Sequence, residues 1–157
     1  SVPCVYDDGV QLEMGHAYVL REGADVTIVA AGVEIDEAMK AADSLAGQGV
    51  SAEVVDAFCI KPLDAGTILA SVAKTGCIVT AEEHSVIGGL GGAVSELLAE
   101  AHPAPLERVG MRDCFGTSGE FEELLAYFHL DAPSIVEAAL KVIARKEAKE
   151  HIAGSRA

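Results

Sequence analysis

The feature that most limits what this chain can fold into is a cycle of short apolar runs and amphipathic stretches. Residues 25–31 read Asp-Val-Thr-Ile-Val-Ala-Ala, a β-branched run of the kind buried on both faces of a parallel sheet, and Gly32 ends it. A helical pattern follows, with Ile35, Ala38, Met39, Ala42 and Leu45 at three- and four-residue spacing opposite Glu34, Glu37 and Lys40. Gly47 and Gly49 close it. The cycle then repeats: a strand over 50–58, a helix over 63–72 with Ile68, Leu69 and Val72 inward, and a strand over 77–81 after Gly76. A helical stripe of Leu90, Val94, Leu97, Leu98 and Ala101, a strand over 106–111, and helices over 121–128 and 134–143 complete it. Strands alternating with helices predict an α/β fold, a three-layer α/β/α sandwich around a mainly parallel sheet.

Helix starts are marked locally. Thr117 followed by Glu120 fits a capping box, and Asp131 followed by Pro133 fits a cap and first turn. The run Ala-Arg-Lys-Glu-Ala-Lys-Glu-His after Ile143 is charged all round, so a fraying helix and then a disordered tail are expected over 147–157. No linker or repeat divides the 157 residues, enough for one domain that buries roughly 70% of its unfolded surface. The chain enters at Ser1, without methionine, through an extended-looking segment. Residues 1–14 are therefore expected to come from a junction with a preceding domain, and residues 15–146 to form the domain proper.

Charge and cysteine content narrow the function classes. Twenty-five acidic against eleven basic residues give a net charge of −14, a field that repels phosphate backbones, so nucleic acid is not an expected partner. No apolar run approaches the ~20 residues a bilayer demands, so neither is a membrane. Cys4, Cys59, Cys77 and Cys114 lie far apart with no C-x-x-C pair, which predicts reduced thiols in a cytoplasmic protein.

Chemistry concentrates between Thr80 and Gly92. Glu82, Glu83, His84 and Ser85 fall at the C-terminal end of the 77–81 strand, the edge where α/β proteins collect ligands. A histidine beside carboxylates can be held charged and donate a proton, or it can simply anchor a loop or subunit contact. Ser85 lacks the surroundings of a nucleophile. The run Gly88-Gly89-Leu90-Gly91-Gly92 opens a helix where a phosphate could sit, but Val94 replaces the small third residue of the dinucleotide fingerprint. Glu82 and Glu83 would also repel a pyrophosphate, so close helix-to-sheet packing is the expected role of these glycines. His16, His102, His129 and His151 have no metal-like spacing, and Asp7-Asp8-Gly9 reads as a turn. Glu120, Glu122 and Glu123 read as a solvated face that complements a helix start.

Residues 80–98, Thr-Ala-Glu-Glu-His-Ser-Val-Ile-Gly-Gly-Leu-Gly-Gly-Ala-Val-Ser-Glu-Leu-Leu, resemble the C-terminal domain of the transketolase family, and most closely its split form, whose halves are separate polypeptides. Gly23-Ala-Asp-Val-Thr-Ile-Val-Ala-Ala-Gly32, Ile60-Lys-Pro-Leu-Asp64 and Asp113-Cys-Phe-Gly-Thr-Ser-Gly119 are similar to further motifs in the family's order. The resemblance implies a five-stranded mixed sheet with one antiparallel edge strand over 17–21, and homodimers built partly through this domain. It also implies a complete enzyme in which thiamine diphosphate and magnesium sit between other domains and ketol units pass between sugar phosphates. The N-terminal and pyrimidine-binding domains would be the partners, in the same chain or a separate subunit.

The family holds its metal with Gly-Asp-Gly and a later asparagine, and this sequence contains neither, so no cofactor is expected on this domain. Glu82, Glu83, His84, Ser85, Gly88, Gly89 and Gly91 are then a signature loop facing the rest of the enzyme, with His84 its one candidate for catalysis, and the chain alone is expected to be inactive. Related deoxyxylulose-phosphate synthases and 2-oxoacid dehydrogenase β subunits share the Glu-Glu pair and the glycines and tend to differ at the His-Ser positions. They are the alternative parents; a free-standing acidic oligomerisation module is the alternative outside the family.

Overall fold

The computed structural model describes residues 4–7 and 9–154; Asp8 of the expected turn and the ends of both expected terminal segments lie outside the described residues. The chain order is β1 (Tyr18–Arg21), β2 (Val26–Ala30), α1 (Glu34–Gly47), β3 (Ala52–Asp56), α2 (Ala65–Thr75) and β4 (Ile78–Ser85). It continues through α3 (Leu90–Ala101), β5 (Leu106–Met111), α4 (Phe121–Tyr127) and α5 (Ala132–Gly154). One five-stranded sheet has the order β1-β3-β2-β4-β5. Three of its four pairings are parallel, and the fourth sets the edge strand β1 antiparallel to β3 with Tyr18 opposite Asp56. The mixed sheet and its antiparallel edge strand agree with the sequence reading.

β2 is the centre because it has no polar face to expose: all five residues are fully buried. Val26, Ile28 and Ala30 pack under α1 and α5, while Val29 packs under α2 and α3. The one hydroxyl in the strand, Thr27, is satisfied by Ser71 Oγ at 2.6 Å and Thr75 Oγ1 at 2.7 Å, both on α2. A buried polar group needs such partners.

Three acidic side chains close the N-termini of two helices. Asp64 caps α2: Oδ1 accepts from Thr67 N at 3.0 Å, and Oδ2 accepts from Thr67 Oγ1 at 2.8 Å and from Ala17 N at 2.9 Å. Asp131 accepts from Ser134 N at 3.2 Å at the start of α5, as its pattern predicts. Glu37 Oε2 accepts from Ala132 N at 2.7 Å, joining α1 to the same helix start. Asp64→Ala is expected to lower stability by about 1–2 kcal/mol, since it removes a cap and releases the segment before β1; an unchanged urea midpoint would contradict this.

Three expectations differ from the structure. Thr117 and Glu120 form no capping box: α4 begins at Phe121 with Glu120 in extended backbone and no side-chain cap. The charged stretch after residue 146, expected to fray, is helical through Gly154. Long basic side chains tie that helix down, since Lys146 Nζ donates to Asp25 O and Thr75 O at 3.0 Å each and Arg145 donates to Leu106 O at 2.9 Å. Their stems lie on protein while their charges find carbonyls, which a periodicity count cannot see. Finally, Glu34 and Glu37 are buried, not on a solvated face.

Candidate functional site

β2 leads into α1 on one face of the sheet, and β4 leads into α3 on the other. The two strands are neighbours, so their carboxyl ends form the topological switch point, the place where open α/β sheets leave a crevice. The residues singled out by sequence reasoning converge there. Glu82, Glu83, His84 and Ser85 are not a loop, however; they are the last half of β4, which runs four residues past the expected end with an irregularity in its register before Ser85 pairs with Met111.

Glu82 decides what the crevice can hold. Its side chain is buried, and its carboxylate accepts from Leu90 N at 2.7 Å through Oε2 and from Gly91 N at 2.8 Å through Oε1. Those are first-turn amides of α3, the groups that bind phosphate in nucleotide-binding folds. The chain thus fills its own anion position, a stronger reason against a pyrophosphate than charge repulsion. The glycines make this possible. A Cβ at Gly89 would overlap the Glu82 carboxylate, and one on Gly91 would lie 2.8 Å from Arg108 Cδ and 3.0 Å from Thr80 Oγ1. On β5, a Cβ at Gly110 would meet His84 O at 3.0 Å. Gly88 takes φ +78°, a left-handed turn that suits glycine.

The turn above this cap is pinned and its outer lip is exposed. Arg108 Nη1 donates to Val86 O at 2.9 Å, Ile87 N donates to Ser85 Oγ at 3.1 Å, and His84 Nδ1 lies 3.1 Å from Ser85 O. Glu83 and His84 face outward, and Ile87 is 66% exposed. On the same edge, after β3, Phe58 and Ile60 are also exposed. Ser85 Oγ therefore holds a turn by accepting from Ile87 N.

Sequence reasoning missed two carboxyl groups at this edge. Glu34, in the first turn of α1, is fully buried and neither carboxyl oxygen has a hydrogen-bond partner. Burial, with Glu37, Glu83 and Asp131 nearby, pushes its pKa up to about 8. Asp56, at the end of β3, is buried and accepts from Tyr6 Oη at 2.5 Å while its other oxygen has no partner, and burial raises its pKa. Only the glycine run and strand end signalled a site; a helix-start glutamate looks the same in sequence whether wet or buried.

The chain is similar to known proteins. The family model described as the transketolase C-terminal domain matches residues 15–135. This chain belongs to the transketolase C-terminal domain family. It is 52% identical over 136 residues to the 6-deoxy-6-sulfo-D-fructose transketolase subunit SqwH of Clostridium sp. (strain MSTE9), covering 87% of this chain and 42% of that protein. It is 39% identical to a 1-deoxy-D-xylulose-5-phosphate synthase of Geobacter sulfurreducens, over 88% of this chain and 22% of that one. Among solved structures, a split-gene transketolase described as an inactive β4 tetramer superposes with a TM-score of 0.90 at 45% identity, over 92% of this chain and 48% of that one. The transketolase C-terminal domain thus spans less than half the length of these relatives. No helix among the described residues is long and apolar enough to cross a membrane.

Proposed function

We propose that the chain is the C-terminal, non-cofactor-binding domain of a cytoplasmic transketolase, which passes ketol units between sugar phosphates when complete. In that reading the domain supports the active site from outside and self-associates. The observation that carries it is the Glu82 cap: the position of this fold best suited to an anionic ligand is closed by the chain's own carboxylate, while His84 and Ile87 stand exposed beside it. A closed crevice with a partly apolar lip is suited to receiving another domain.

Thiamine diphosphate and magnesium do not fit the residues present. The diphosphate's natural place at the α3 amides is filled, and the sequence contains no Gly-Asp-Gly and no asparagine. Among the described residues, no three His, Cys, Asp or Glu side chains gather as ligands of a metal would. The cofactor belongs in this reading to the N-terminal and pyrimidine-binding domains. With His84 Nδ1 engaged by Ser85 O, Nε2 is the atom that would meet a group on the facing domain.

Calorimetry on the isolated chain with thiamine diphosphate and magnesium is expected to show no heat of binding; saturable micromolar binding would overturn the reading. Added to its N-terminal half, the chain is expected to restore ketol transfer, and His84→Ala to lower kcat/KM about tenfold, the scale of one lost hydrogen bond. Pyruvate decarboxylation in place of ketol transfer would favour the deoxyxylulose-phosphate synthase or 2-oxoacid dehydrogenase reading. The 52% identity to the sulfofructose transketolase subunit favours including that sugar among the donors tested. Self-association is supported by the solved relative described as a β4 tetramer.

A further inference from the structure

The segment ahead of β1, which the sequence places at a domain junction, is held against this domain at several points. Tyr6 Oη donates to Asp56 Oδ2 at 2.5 Å, Glu13 N donates to Tyr18 Oη at 2.6 Å, and Ala17 N donates to Asp64 Oδ2 at 2.9 Å. The rings join the same contacts: Tyr6 meets Tyr18 edge-on at 6.2 Å, and Tyr18 meets Phe58 edge-on at 6.5 Å. A Cβ at Gly15 would lie 3.1 Å from Pro62 Cγ. Residues 4–7 and 9–17 thus form a strap against the start of β1 and the segment after β3. Tyr18 and Ala30 both pair with Asp56, so the strap reaches the carboxyl edge of the sheet beside the end of β2, and the lip that ends β4 stands on the other side of β2.

The latch of this strap is not built for strength. Asp56 is buried, and Tyr6 holds one of its oxygens while the other has no partner. Taking a carboxyl group out of water for one hydrogen bond stabilises little, and a pair of apolar side chains in its place would do more. A phenol and a carboxyl group add what an apolar pair lacks, a fixed direction, because the bond forms only with Tyr6 in one place. The contact is suited to setting where the strap lies.

The strap also turns apolar residues outward. Val5, Val10 and Met14 are 39%, 49% and 72% exposed, and Val19, Phe58 and Ile60 are exposed on the segments it touches. Isolated exposed apolar residues are ordinary, but six on contacting segments mark a face that another surface covers. The strap's place in the chain says which. The family match begins at residue 15, so most of the strap lies ahead of the matched domain, and the relatives are more than twice as long as the part that this chain matches. The apolar face is therefore on the segment nearest in sequence to a preceding domain.

We propose that the strap is a positioning device: Tyr6, latched on Asp56, fixes the face of Val5, Val10 and Met14 against the pyrimidine-binding domain and thereby sets how that domain meets the lip over 83–87. The proposal rests on the reading above that such a domain completes the enzyme, and it adds the contact and the residues that align it. Hydrogen exchange read by mass spectrometry, on the chain alone and on the complete enzyme, tests it. Strap amides are expected to exchange about tenfold more slowly in the complete enzyme than in the chain alone. Tyr6→Phe keeps the ring and loses the hydroxyl. It is expected to speed strap exchange about tenfold in both, the scale of one lost hydrogen bond, and in the complete enzyme to speed exchange of the lip as well. Asp56→Asn keeps an acceptor for Tyr6 and is expected to exchange like the unaltered protein, whereas Asp56→Ala is expected to behave like Tyr6→Phe. Equal strap exchange in the chain and the complete enzyme overturns the proposal. So does strap protection that appears in the chain alone as its concentration rises, which assigns the face to a second copy. A Tyr6→Phe enzyme whose lip exchanges at the unaltered rate overturns the positioning role. A complete enzyme that transfers no ketol unit overturns the reading above instead, and the exchange comparison still decides the strap.

Discussion

Replacing Glu82 with alanine is expected to destabilise the domain by about 3–5 kcal/mol and to lower its melting temperature by about 10 °C. The carboxylate satisfies two first-turn amides of α3, and the side chain is buried, so truncation leaves two buried N–H groups unpaired and a hole beneath the turn. Hydrogen bonds to a charged acceptor contribute about 1.5–3 kcal/mol each, and an orphaned buried donor carries a desolvation penalty of similar size. Glu82→Gln keeps the shape and one acceptor and should fall between the two. Gly89→Ala should reach a comparable loss from the other side, because its methyl would overlap the Glu82 carboxylate. The variant offers a sharper readout as well. With the carboxylate gone, the α3 amides become an open anion site, and sulfate or phosphate at millimolar concentration should raise the melting temperature of Glu82→Ala and leave the parent unmoved. Equal responses would mean that Glu82 does not occupy an anion position.

The same residue shows what sequence reading reaches and where it stops. The strands and helices are legible because burial writes itself into β-branched runs and three-to-four spacing: β2 is apolar throughout and fully buried. The resemblance over residues 80–98 also leads to the right sheet edge. What a single sequence hides is the partner of each polar side chain. Glu82 and Glu83 look alike as neighbours, but the alternation of β4 sends one into the α3 amides and the other to the surface. In sequence, Val94 and the charge of two acids argue against a nucleotide, whereas the physical reason is that one of those acids already sits where the phosphate would. The same limit hides Glu37, which reads as the wet face of α1 and instead binds the first amide of α5, an element 95 residues away. It also explains Lys146 and Arg145, whose carbonyl partners lie on distant strand ends and hold a helix where charge alone predicts fraying.

Glu34→Gln is expected to stabilise the domain, by a margin that grows with pH. Glu34 is buried with no partner for either oxygen, and burial together with Glu37, Glu83 and Asp131 lifts its pKa from the ordinary 4.5 to about 8. A carboxyl group raised in the folded state favours folding fully below the unfolded value, where both states hold the proton. As pH rises from 4.5 towards 8 the unfolded chain releases that proton and the folded chain does not, so stability falls across this window and levels off above it. The loss amounts to about 3 kcal/mol by pH 7, since each pKa unit corresponds to about 1.4 kcal/mol. Glutamine stays neutral throughout and removes this term. Its own unpaired amide adds a penalty that does not vary with pH, so the diagnostic quantity is the change in the difference between parent and variant. Other groups titrate in both chains and cancel: Asp56, raised by burial, has the same sign as Glu34. Asp64, Glu53 and Glu107, held low by their hydrogen-bonding partners, have the opposite sign and contribute stability that is lost as pH falls. Urea midpoints for parent and variant at several pH values between 4.5 and 8.5 therefore isolate Glu34, and a gap that stays constant across the range would show that this carboxyl is ionised in the fold at neutral pH and has found a partner there.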